Sequence, residues 1–444
     1  MFTYLLTHSP LLYFTQPLWR DEAYSVLYAS QTFASIIAKS SFDPPLYYLL
    51  LHMWMLLFGQ SEIAVRAFSF VGFSLATIVS IYLAEHLFKK HWLSWFVPLL
   101  FFTNPMLLYY GIEVRAYGWY MFFAMLVIYG YIKKKWKLFG FASILGFYTH
   151  LYMILVPFVC TLHYFATNGK LLLAPRLWMK NIYFKTIALV VLFVTPWLIR
   201  VALVTSRLQE SWYFPVDIHL IKSVLGNMYV GYEGTPWYGW IWTARLSLAL
   251  CVLFGIALIP KKTRHLVLFF VFMVILPLCV IIGVSFFKPV FVIRYLIPVT
   301  MMEVFLLGYA LLAFTPTFIK IFLAICLLGF SSWVNIWFPN KHLKTDYRTV
   351  MHAINALVGV QDVIYADNPL HLFETMYYAK DRSKVFLYIP VGGHFPWYIG
   401  DGIVQPEHIV TQPPPYPKRA FVLKEDRSFT VLYGLPLSQT RLKK

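Results

Sequence analysis

The chain has 444 residues, of which 60% are hydrophobic, 19% aromatic and only 13% charged. Soluble domains carry about a quarter charged residues, so this composition excludes a soluble globular protein and indicates a polytopic membrane protein. The formal charge of +18 does not indicate nucleic-acid binding, because the basic residues lie in short clusters between apolar runs, as they do in cytoplasmic loops of membrane proteins.

The first apolar segment, 1–17, lacks the basic start and the small-residue cleavage site of a signal peptide, so it predicts a short first span. Runs of about 20 apolar residues, the length that crosses a bilayer as a helix, predict further spans. These lie at 67–86, 91–109, 117–132, 186–203, 238–259, 266–286, 295–314 and 319–338. The stretch 138–167 is too long for one helix and is interrupted at "YTH" (148–150), which predicts a helical hairpin and a total of about 11 spans.

The segment 44–59 is apolar but short, and it begins with two prolines. If it crossed the membrane, the basic clusters at 89–90 and 133–137 would lie outside. If it does not, these two clusters, the segment 170–185 and "KKTR" at 261–264 all lie inside. The positive-inside rule favours the second arrangement, so we expect 44–59 to lie in or re-enter the outer interface. The N-terminus is then inside and the C-terminus outside.

From about residue 339 the composition changes, and a helix, a short strand at 362–366 and a second helix are predicted. Further strands are predicted at "KVFLYI" and "RAFVLK", separated by the loop "TQPPPYPK". The sequence therefore predicts a transmembrane domain over 1–338, with a re-entrant or juxtamembrane outer segment at 18–66. A small extracytoplasmic α/β domain follows over 339–444.

Arg20, Asp21 and Glu22 follow the first span directly. Charged residues at the bilayer centre cost roughly 2.5 to 3.5 kcal/mol each, so these three are expected at the outer end of that span. One interpretation is structural: Asp21 caps the following helix and Glu22 lies in its first turn. The other is catalytic.

A second set of charges lies at other predicted helix ends on the same outer face: Glu113 and Arg115 after one span, and Arg294 before another. Glu113 and Arg115 could form a local pair, and Arg294 could reach the lipid head groups. Acidic and guanidinium groups converging on one face are, however, what a lipid-phosphate site requires. Arginine binds phosphate oxygens in a bidentate manner, and a carboxylate can serve as a base.

These residues lie in motifs that resemble a known family. The motifs are "LWRDEAYSVLYA", "DPPLYYLLLHMWMLLFG", "NPMLLYYGIEVRAYGWYMFF", "GFYTHLYMILV", "TPWLIR" and "FVIRYLIPV". In this order they resemble the landmarks of bacterial C-type membrane glycosyltransferases of the family 39 and aminoarabinose-transferase-like group, which is related to protein O-mannosyltransferases. The resemblance covers roughly residues 15 to 300, with a weaker match at "KTDYRTVMHAINA".

The resemblance implies a C-type glycosyltransferase fold and sugar transfer from a polyprenyl-phosphate carrier at the outer face of the plasma membrane. It implies that Asp21 is the base that deprotonates the acceptor, whose oxygen then attacks the anomeric carbon with inversion. Arg115 and Arg294 would stabilise the charge that builds on the leaving phosphate. Glu22 accompanies Asp21 in the family, so the resemblance implies that it is a second catalytic residue, which would orient Arg115 or the acceptor. Neighbouring residues on a helix point about 100° apart, so Asp21 and Glu22 are not expected to contact the same atom.

Two further residues enter through the resemblance. Many relatives have a histidine before the double proline where this chain has Asp43. Asp43 is therefore either a second acid at the substrate-binding site or a helix cap. His150 matches a family landmark, and its alternative is an ordinary hydrogen-bonded residue at a helix end.

No cofactor is required by this chemistry, and a divalent metal, although compatible with it, is not indicated by clustered ligands. The four cysteines lie far apart in apolar runs and predict no disulfide framework. A transporter or flippase for lipid-linked sugars is the alternative, but no internal repeat is present and the charges gather at one face. A non-catalytic binding protein with this fold also stays open, as do the sugar and the acceptor, which could be a protein, a lipid or a glycan.

Overall fold

The computed structural model describes residues 8–39, 42–89, 91–169, 175–204, 216–231, 238–341, 343–390, 395, 400 and 402–434. The chain divides into two compact units. The helical unit comprises Met1–Phe14, Ser41–Tyr47 and Arg66–Lys341, and the α/β unit comprises Thr15–Ser40, Tyr48–Val65 and His342–Lys444.

Helices make up most of the described residues. In chain order they are α1 (Leu12–Thr15), α2 (Arg20–Ala29), α3 (Phe33–Lys39), α4 (Leu46–Phe58), α5 (Glu62–Phe88), α6 (Leu93–Thr103), α7 (Pro105–Ile112), α8 (Tyr117–Ile132), α9 (Trp136–Thr149), α10 (Leu155–Thr167), α11 (Ile182–Val204), α12 (Ile218–Val230), α13 (Tyr238–Ala257), α14 (Arg264–Ser285), α15 (Ile297–Ala313), α16 (Thr317–Lys341), α17 (Tyr347–Leu357) and α18 (Leu372–Tyr378).

Among the described residues, six helices are long and apolar enough to cross a membrane, or seven if the bent pair α6 and α7 forms one span. The chain is therefore a multi-pass membrane protein. The total of about 11 spans stays a prediction, and part of the predicted first span, residues 1–7, lies outside the described residues. The predicted interruption at 148–150 is confirmed, because α9 ends at Thr149 and a 3-10 turn over Leu151–Ile154 leads into α10. That these two helices pack together as a hairpin stays a prediction.

The bend between α6 and α7 has a local cause in Asn104 and Pro105. Proline lacks the amide hydrogen needed to continue α6 but fits the first position of a new helix. The side chain of Asn104 caps α7 by accepting a hydrogen bond from the amide of Leu107 at 3.1 Å, and its Nδ2 donates to the carbonyl of Tyr229 at 3.0 Å. The two helices meet at 55°, which sets the direction in which α7 leads to Glu113.

The α/β unit contains one five-stranded sheet in the order β3-β2-β1-β4-β5. Its strands are β1 (Val363–Ala366), β2 (Val385–Tyr388), β3 (Ile409–Val410), β4 (Ala420–Leu423) and β5 (Phe429–Leu432). β1 to β4 are parallel, and β5 pairs with β4 in the antiparallel sense. The three predicted strands are confirmed as β1, β2 and β4; the short β3 and the half-exposed β5 were not predicted.

The segment 18–66, assigned from the sequence to the transmembrane domain, falls mostly in the α/β unit. Residues 18–40 and 48–65 pack with the C-terminal residues, whereas 42–47 belong to the helical unit. Within the α/β unit, α18 packs against α2, and Tyr377 of α18 donates a hydrogen bond to the carbonyl of Gln60 at 2.6 Å. The sequence did not predict this packing, because contacts between distant parts of the chain produce no periodic pattern of residues.

Candidate functional site

In the helical unit, a tight turn between α7 and α8 carries Glu113 and Arg115. The carbonyl of Glu113 accepts a hydrogen bond from the amide of Arg115 at 2.6 Å, which folds the chain back on itself. Glu113 is buried, with 2% of its surface exposed, and the side chain of Arg115 is 14% exposed. A carboxylate and a guanidinium thus lie two residues apart at the end of an apolar helix.

Backbone contacts with α5 fix the start of α8. The Oγ of Ser69 donates to the carbonyl of Arg115 at 3.3 Å, and Nε1 of Trp119 donates to the carbonyl of Phe68 at 3.1 Å. Gly118 lies so close to α5 that a Cβ atom there would come within 2.1 Å of the Ser69 carbonyl oxygen. The position of Arg115 is therefore set by the backbone around it as well as by its own side chain.

Arg294 reaches this turn from the 3-10 segment Ile293–Leu296 that precedes α15. Its Nε donates a hydrogen bond to the hydroxyl of Tyr117 at 3.0 Å, and its guanidinium lies 5.8 Å from the ring centre of Tyr295. Arg294 is 7% exposed. The Tyr117 hydroxyl also lies within the electrostatic influence of Arg115 and Glu113 on the preceding turn.

His150 lies at the turn between α9 and α10, where it joins an aromatic cluster. Its ring stacks on Tyr120 with centroids 4.5 Å apart and planes at 12°, and it meets the edge of Tyr295 at 5.1 Å. Its Nδ1 accepts a hydrogen bond from the amide of Tyr152 at 3.3 Å. The ring is under the electrostatic influence of Arg115 and Arg294, so the structure places His150 beside the arginines in a neutral aromatic wall.

Asp43 is the second acid in this region. Its Oδ2 lies 3.7 Å from Nη2 of Arg115, and its side chain is half exposed. This is a long ion pair partly open to solvent, of a kind that contributes at most about 1 kcal/mol to stability. Asp43 therefore weakens the positive potential around Arg115 only in part. A buried carboxylate at a shorter distance would offset it more fully.

We name this group the arginine cluster: Asp43, Glu113, Arg115, Tyr117, His150, Arg294 and Tyr295. It brings two guanidinium groups to a shielded, largely aromatic environment, where their attraction for an anion is stronger than in water. Guanidinium groups bind phosphate oxygens in pairs with a fixed geometry. The cluster can therefore hold a phosphate group at the ends of apolar helices.

In the α/β unit, helix α2 begins at Arg20, with Trp19 in the capping position, so Asp21 is the second residue of the helix. The interpretation of Asp21 as the helix cap is therefore wrong. The carboxylate of Asp21 accepts a hydrogen bond from Nε of Arg20 at 3.0 Å and is 15% exposed. Glu22 takes part in closing the helix end instead, because its Oε2 accepts from the amide of Trp19 at 3.4 Å.

Glu22 forms a buried ion pair with a residue that the sequence did not single out. Nζ of Lys344 lies 2.8 Å from Oε2 of Glu22, and the side chains are 9% and 0% exposed. Lys344 precedes α17 and lies in the segment "KTDYR", which matches the family only weakly. No local pattern marked it, because the contact joins residues far apart in the chain.

Glu374 of α18 is a second such residue. It is 5% exposed, and burial raises the pKa of its carboxyl to about 8, although the nearby Arg20 opposes this shift. Asp21 acts on the same carboxyl in the raising direction. Glu374 is therefore mostly neutral at pH 7 and adds little negative charge beside Asp21 at the start of α2.

The structure thus brings together five of the residues singled out from the sequence, namely Asp43, Glu113, Arg115, His150 and Arg294, within the helical unit. It places Asp21 and Glu22 in the α/β unit, with Lys344 and Glu374. In the part of the chain that the structure describes, no group of three or more His, Cys, Asp or Glu residues is arranged to hold a metal ion.

Comparisons with known proteins give a clear result for the fold. No family model and no curated protein matches the sequence. Two solved structures are similar: ArnT from Cupriavidus metallidurans in the apo state, and the same protein bound to undecaprenyl phosphate. The identity is 12% in both cases, the TM-scores are 0.62 and 0.61, and the match covers 93% of this chain and 90% and 91% of those chains. The chain therefore has the C-type glycosyltransferase fold of ArnT, as the sequence resemblance predicted.

Proposed function

We propose that this protein is an inverting membrane glycosyltransferase that moves a sugar from a polyprenyl-phosphate carrier to an acceptor at the outer face of the membrane. The donor sugar is a hexose or a pentose, and the acceptor is a hydroxyl of a protein, lipid or glycan. The observation that carries this proposal is the arginine cluster, in which the buried Arg294 donates a hydrogen bond to the Tyr117 hydroxyl beside the turn that carries Arg115.

The shared fold supports the same substrate class. ArnT with this fold binds undecaprenyl phosphate, a ligand with one phosphate group on a long apolar tail. An arginine pair at the ends of apolar helices suits such a ligand, because the phosphate meets the guanidinium groups while the tail stays among apolar side chains. A free sugar nucleotide would not need apolar surroundings of this kind.

In the proposed reaction, Asp21 removes the proton from the acceptor oxygen. That oxygen forms the new bond to the anomeric carbon, while the bond from this carbon to the phosphate oxygen breaks on the opposite face. The leaving oxygen keeps the electron pair, and Arg115 and Arg294 stabilise its charge. The leaving group departs as a phosphate that is already ionised, so no strong general acid is required.

The remaining residues have supporting roles in this proposal. Glu113 and Asp43 set the net charge around Arg115, and His150 fixes the aromatic wall beside it. Glu22 holds the first turn of α2 in place. Since Glu374 is mostly neutral near pH 7, it does not repel the ionised form of Asp21, which is the form that a base requires.

The test is sugar transfer in membranes that contain the wild type or Asp21→Asn, supplied with labelled polyprenyl-phosphate sugars. The substitution keeps the size of the side chain but removes the base. We expect release of polyprenyl phosphate and transfer of label to fall by about 10² to 10⁴-fold, with binding of undecaprenyl phosphate retained.

Asp426→Asn is the matched control, since Asp426 lies in the same unit in an exposed turn, where its side chain accepts from the amide of Ser428. It should leave transfer unchanged. Transfer that persists in Asp21→Asn would remove Asp21 from the role of base. A wild type that binds undecaprenyl phosphate but transfers no sugar would favour a transporter or a non-catalytic binding protein.

A further inference from the structure

Lys344 and Glu22 form an ion pair that is shielded from solvent on both sides. The ammonium lies 2.8 Å from the carboxylate, and at most 9% of either side chain is exposed. Shielded ion pairs carry a large desolvation cost, and breaking one by removing a single partner leaves a buried charge without compensation. The chain around this pair is therefore held in one local conformation, because other conformations would separate the two charges.

The geometry that it fixes is the first turn of α2. Glu22 follows Asp21 directly, and its carboxylate also accepts a hydrogen bond from the amide of Trp19. Through Glu22, Lys344 holds the backbone on both sides of Asp21. A lysine in the segment before α17 thereby fixes the residue that we propose as the base.

Other charged and titratable groups face this turn from the elements packed around it. Arg20 lies on the same helix and contacts Asp21. From α18, Glu374 faces Arg20 and Asp21, and the Tyr378 hydroxyl accepts a hydrogen bond from the amide of Leu18 at 2.8 Å. Tyr378 also donates to Glu62, which forms an ion pair with Arg348 at 2.6 Å.

We propose that Lys344 is a positioning residue of the transfer reaction, which acts through Glu22 to hold Asp21 in its ionised and correctly oriented state. The proposal rests on the proposed function, in which Asp21 is the base. It assigns to the C-terminal part of the chain an indirect role in catalysis, because Lys344 supplies the cation that orders the turn carrying Asp21.

The pH dependence of kcat/KM for transfer from a polyprenyl-phosphate sugar tests this role. Loss of the Lys344 charge favours the protonated form of Asp21, so Lys344→Met should move the acidic limb of the profile upward by about one pH unit. It should also lower kcat by at least about 10-fold with little change in the KM for the donor. Lys344→Arg keeps the positive charge, so the acidic limb of its pH profile should lie at the wild-type position.

Arg348→Met is the matched control. It removes the other ion pair between the same two parts of the chain, since Arg348 contacts Glu62 and not Glu22. The acidic limb of Arg348→Met should coincide with that of the wild type. If Lys344→Met gives the wild-type limb, or moves it no further than Arg348→Met does, Lys344 is only structural and the proposal is wrong.

The double variant Glu22→Gln/Lys344→Met keeps the proposal testable if Lys344→Met misfolds. It removes both charges of the pair together, so neither is left buried alone. We expect it to fold and to keep its affinity for undecaprenyl phosphate, but with kcat lowered by at least about 10-fold. A double variant with wild-type kcat would overturn the proposal. A wild type without transfer activity would instead overturn the proposed function and, with it, the role of Lys344; the two failures are therefore distinguishable.

Discussion

The Nε of Arg294 donates a hydrogen bond to the hydroxyl of Tyr117 at 3.0 Å, and this bond fixes the plane of a buried guanidinium. Tyr117→Phe removes the acceptor and leaves the ring. A hydrogen bond to a charged group makes a net contribution of about 1.5 to 3 kcal/mol to the stability of the arrangement that contains it. We therefore expect the affinity for undecaprenyl phosphate to fall about 10-fold or more, measured by titration of the purified protein with the lipid.

Tyr120→Phe is the control for this prediction. Its hydroxyl donates to the carbonyl of Tyr295 at 3.2 Å and contacts no arginine in that bond. It should lower stability slightly and leave the lipid affinity within about 2-fold of the wild type. Equal losses of affinity in both variants would mean that aromatic packing, and not the orientation of Arg294, governs binding.

Arg294→Lys keeps the positive charge but loses the planar pair of donors. If Arg294 stabilises the charge on the departing phosphate, turnover should fall on the order of 10²-fold, as it does when one donor to a developing oxyanion is removed. The measurement is the release of polyprenyl phosphate at saturating donor. Arg264→Lys serves as the control, because Arg264, the first residue of α14, donates to the backbone carbonyls of Leu258 and Ile259 and should tolerate lysine with little change in turnover.

Asp43→Asn should strengthen the binding of undecaprenyl phosphate, whereas Tyr117→Phe should weaken it. The carboxylate lies 3.7 Å from Arg115 and competes with an incoming phosphate for the same guanidinium. Its removal should tighten binding of undecaprenyl phosphate by about 2 to 5-fold at low salt, and the gain should shrink at high salt because exposed charges are screened. Weaker binding in Asp43→Asn would indicate instead that Asp43 orients Arg115 for the phosphate.

The sequence predicted the long helices and the arginine residues of the cluster, but it did not predict the side chains that pair with the candidate site residues. The apolar runs predicted the long helices, and the arginines at helix ends pointed to one cluster, because charged residues are too costly within the spans. Lys344, Glu374 and the hydroxyl of Tyr117 were not predicted. Each depends on a contact between residues far apart in the chain, and nothing in the local sequence distinguishes a buried, paired lysine from an exposed one.

The buried carboxyl of Glu374 predicts a pH dependence of stability. Burial raises its pKa from 4.5 to about 8, so between these two values the folded state binds more protons than the unfolded state. The contribution of this group to stability is therefore fully present below the lower value and is lost as the pH rises through the higher one. The slope is at most about 1.4 kcal/mol per pH unit.

Glu374→Gln removes this titration while keeping the shape of the side chain. The variant should have a similar melting temperature to the wild type at pH 5 and a higher one at pH 8, measured by thermal unfolding of the full chain in detergent. Glu407→Gln, which alters an exposed carboxyl, should follow the wild type at each pH. A stability difference between Glu374→Gln and the wild type that does not change with pH would show that Glu374 is already ionised in the folded protein.

Gly118 offers the sharpest test of how the arginine cluster is built. A Cβ atom at this position would lie 2.1 Å from the carbonyl oxygen of Ser69, so Gly118→Ala must push the first turn of α8 away from α5. We expect a loss of about 1 to 3 kcal/mol in stability from this overpacking. Lipid affinity should also fall, because the same turn carries Arg115 and Tyr117.

Gly255→Ala is the matched control, since Gly255 also lies within an apolar helix but has no atom within 4 Å of the added carbon. Alanine is favoured over glycine within a helix by about 1 kcal/mol, so this variant should be as stable as the wild type or more stable. If Gly118→Ala loses lipid affinity while Gly255→Ala does not, the approach of α8 to α5 is what places Arg115 and Tyr117. If both variants keep full affinity, the arginine side chains reach the phosphate independently of the backbone turn.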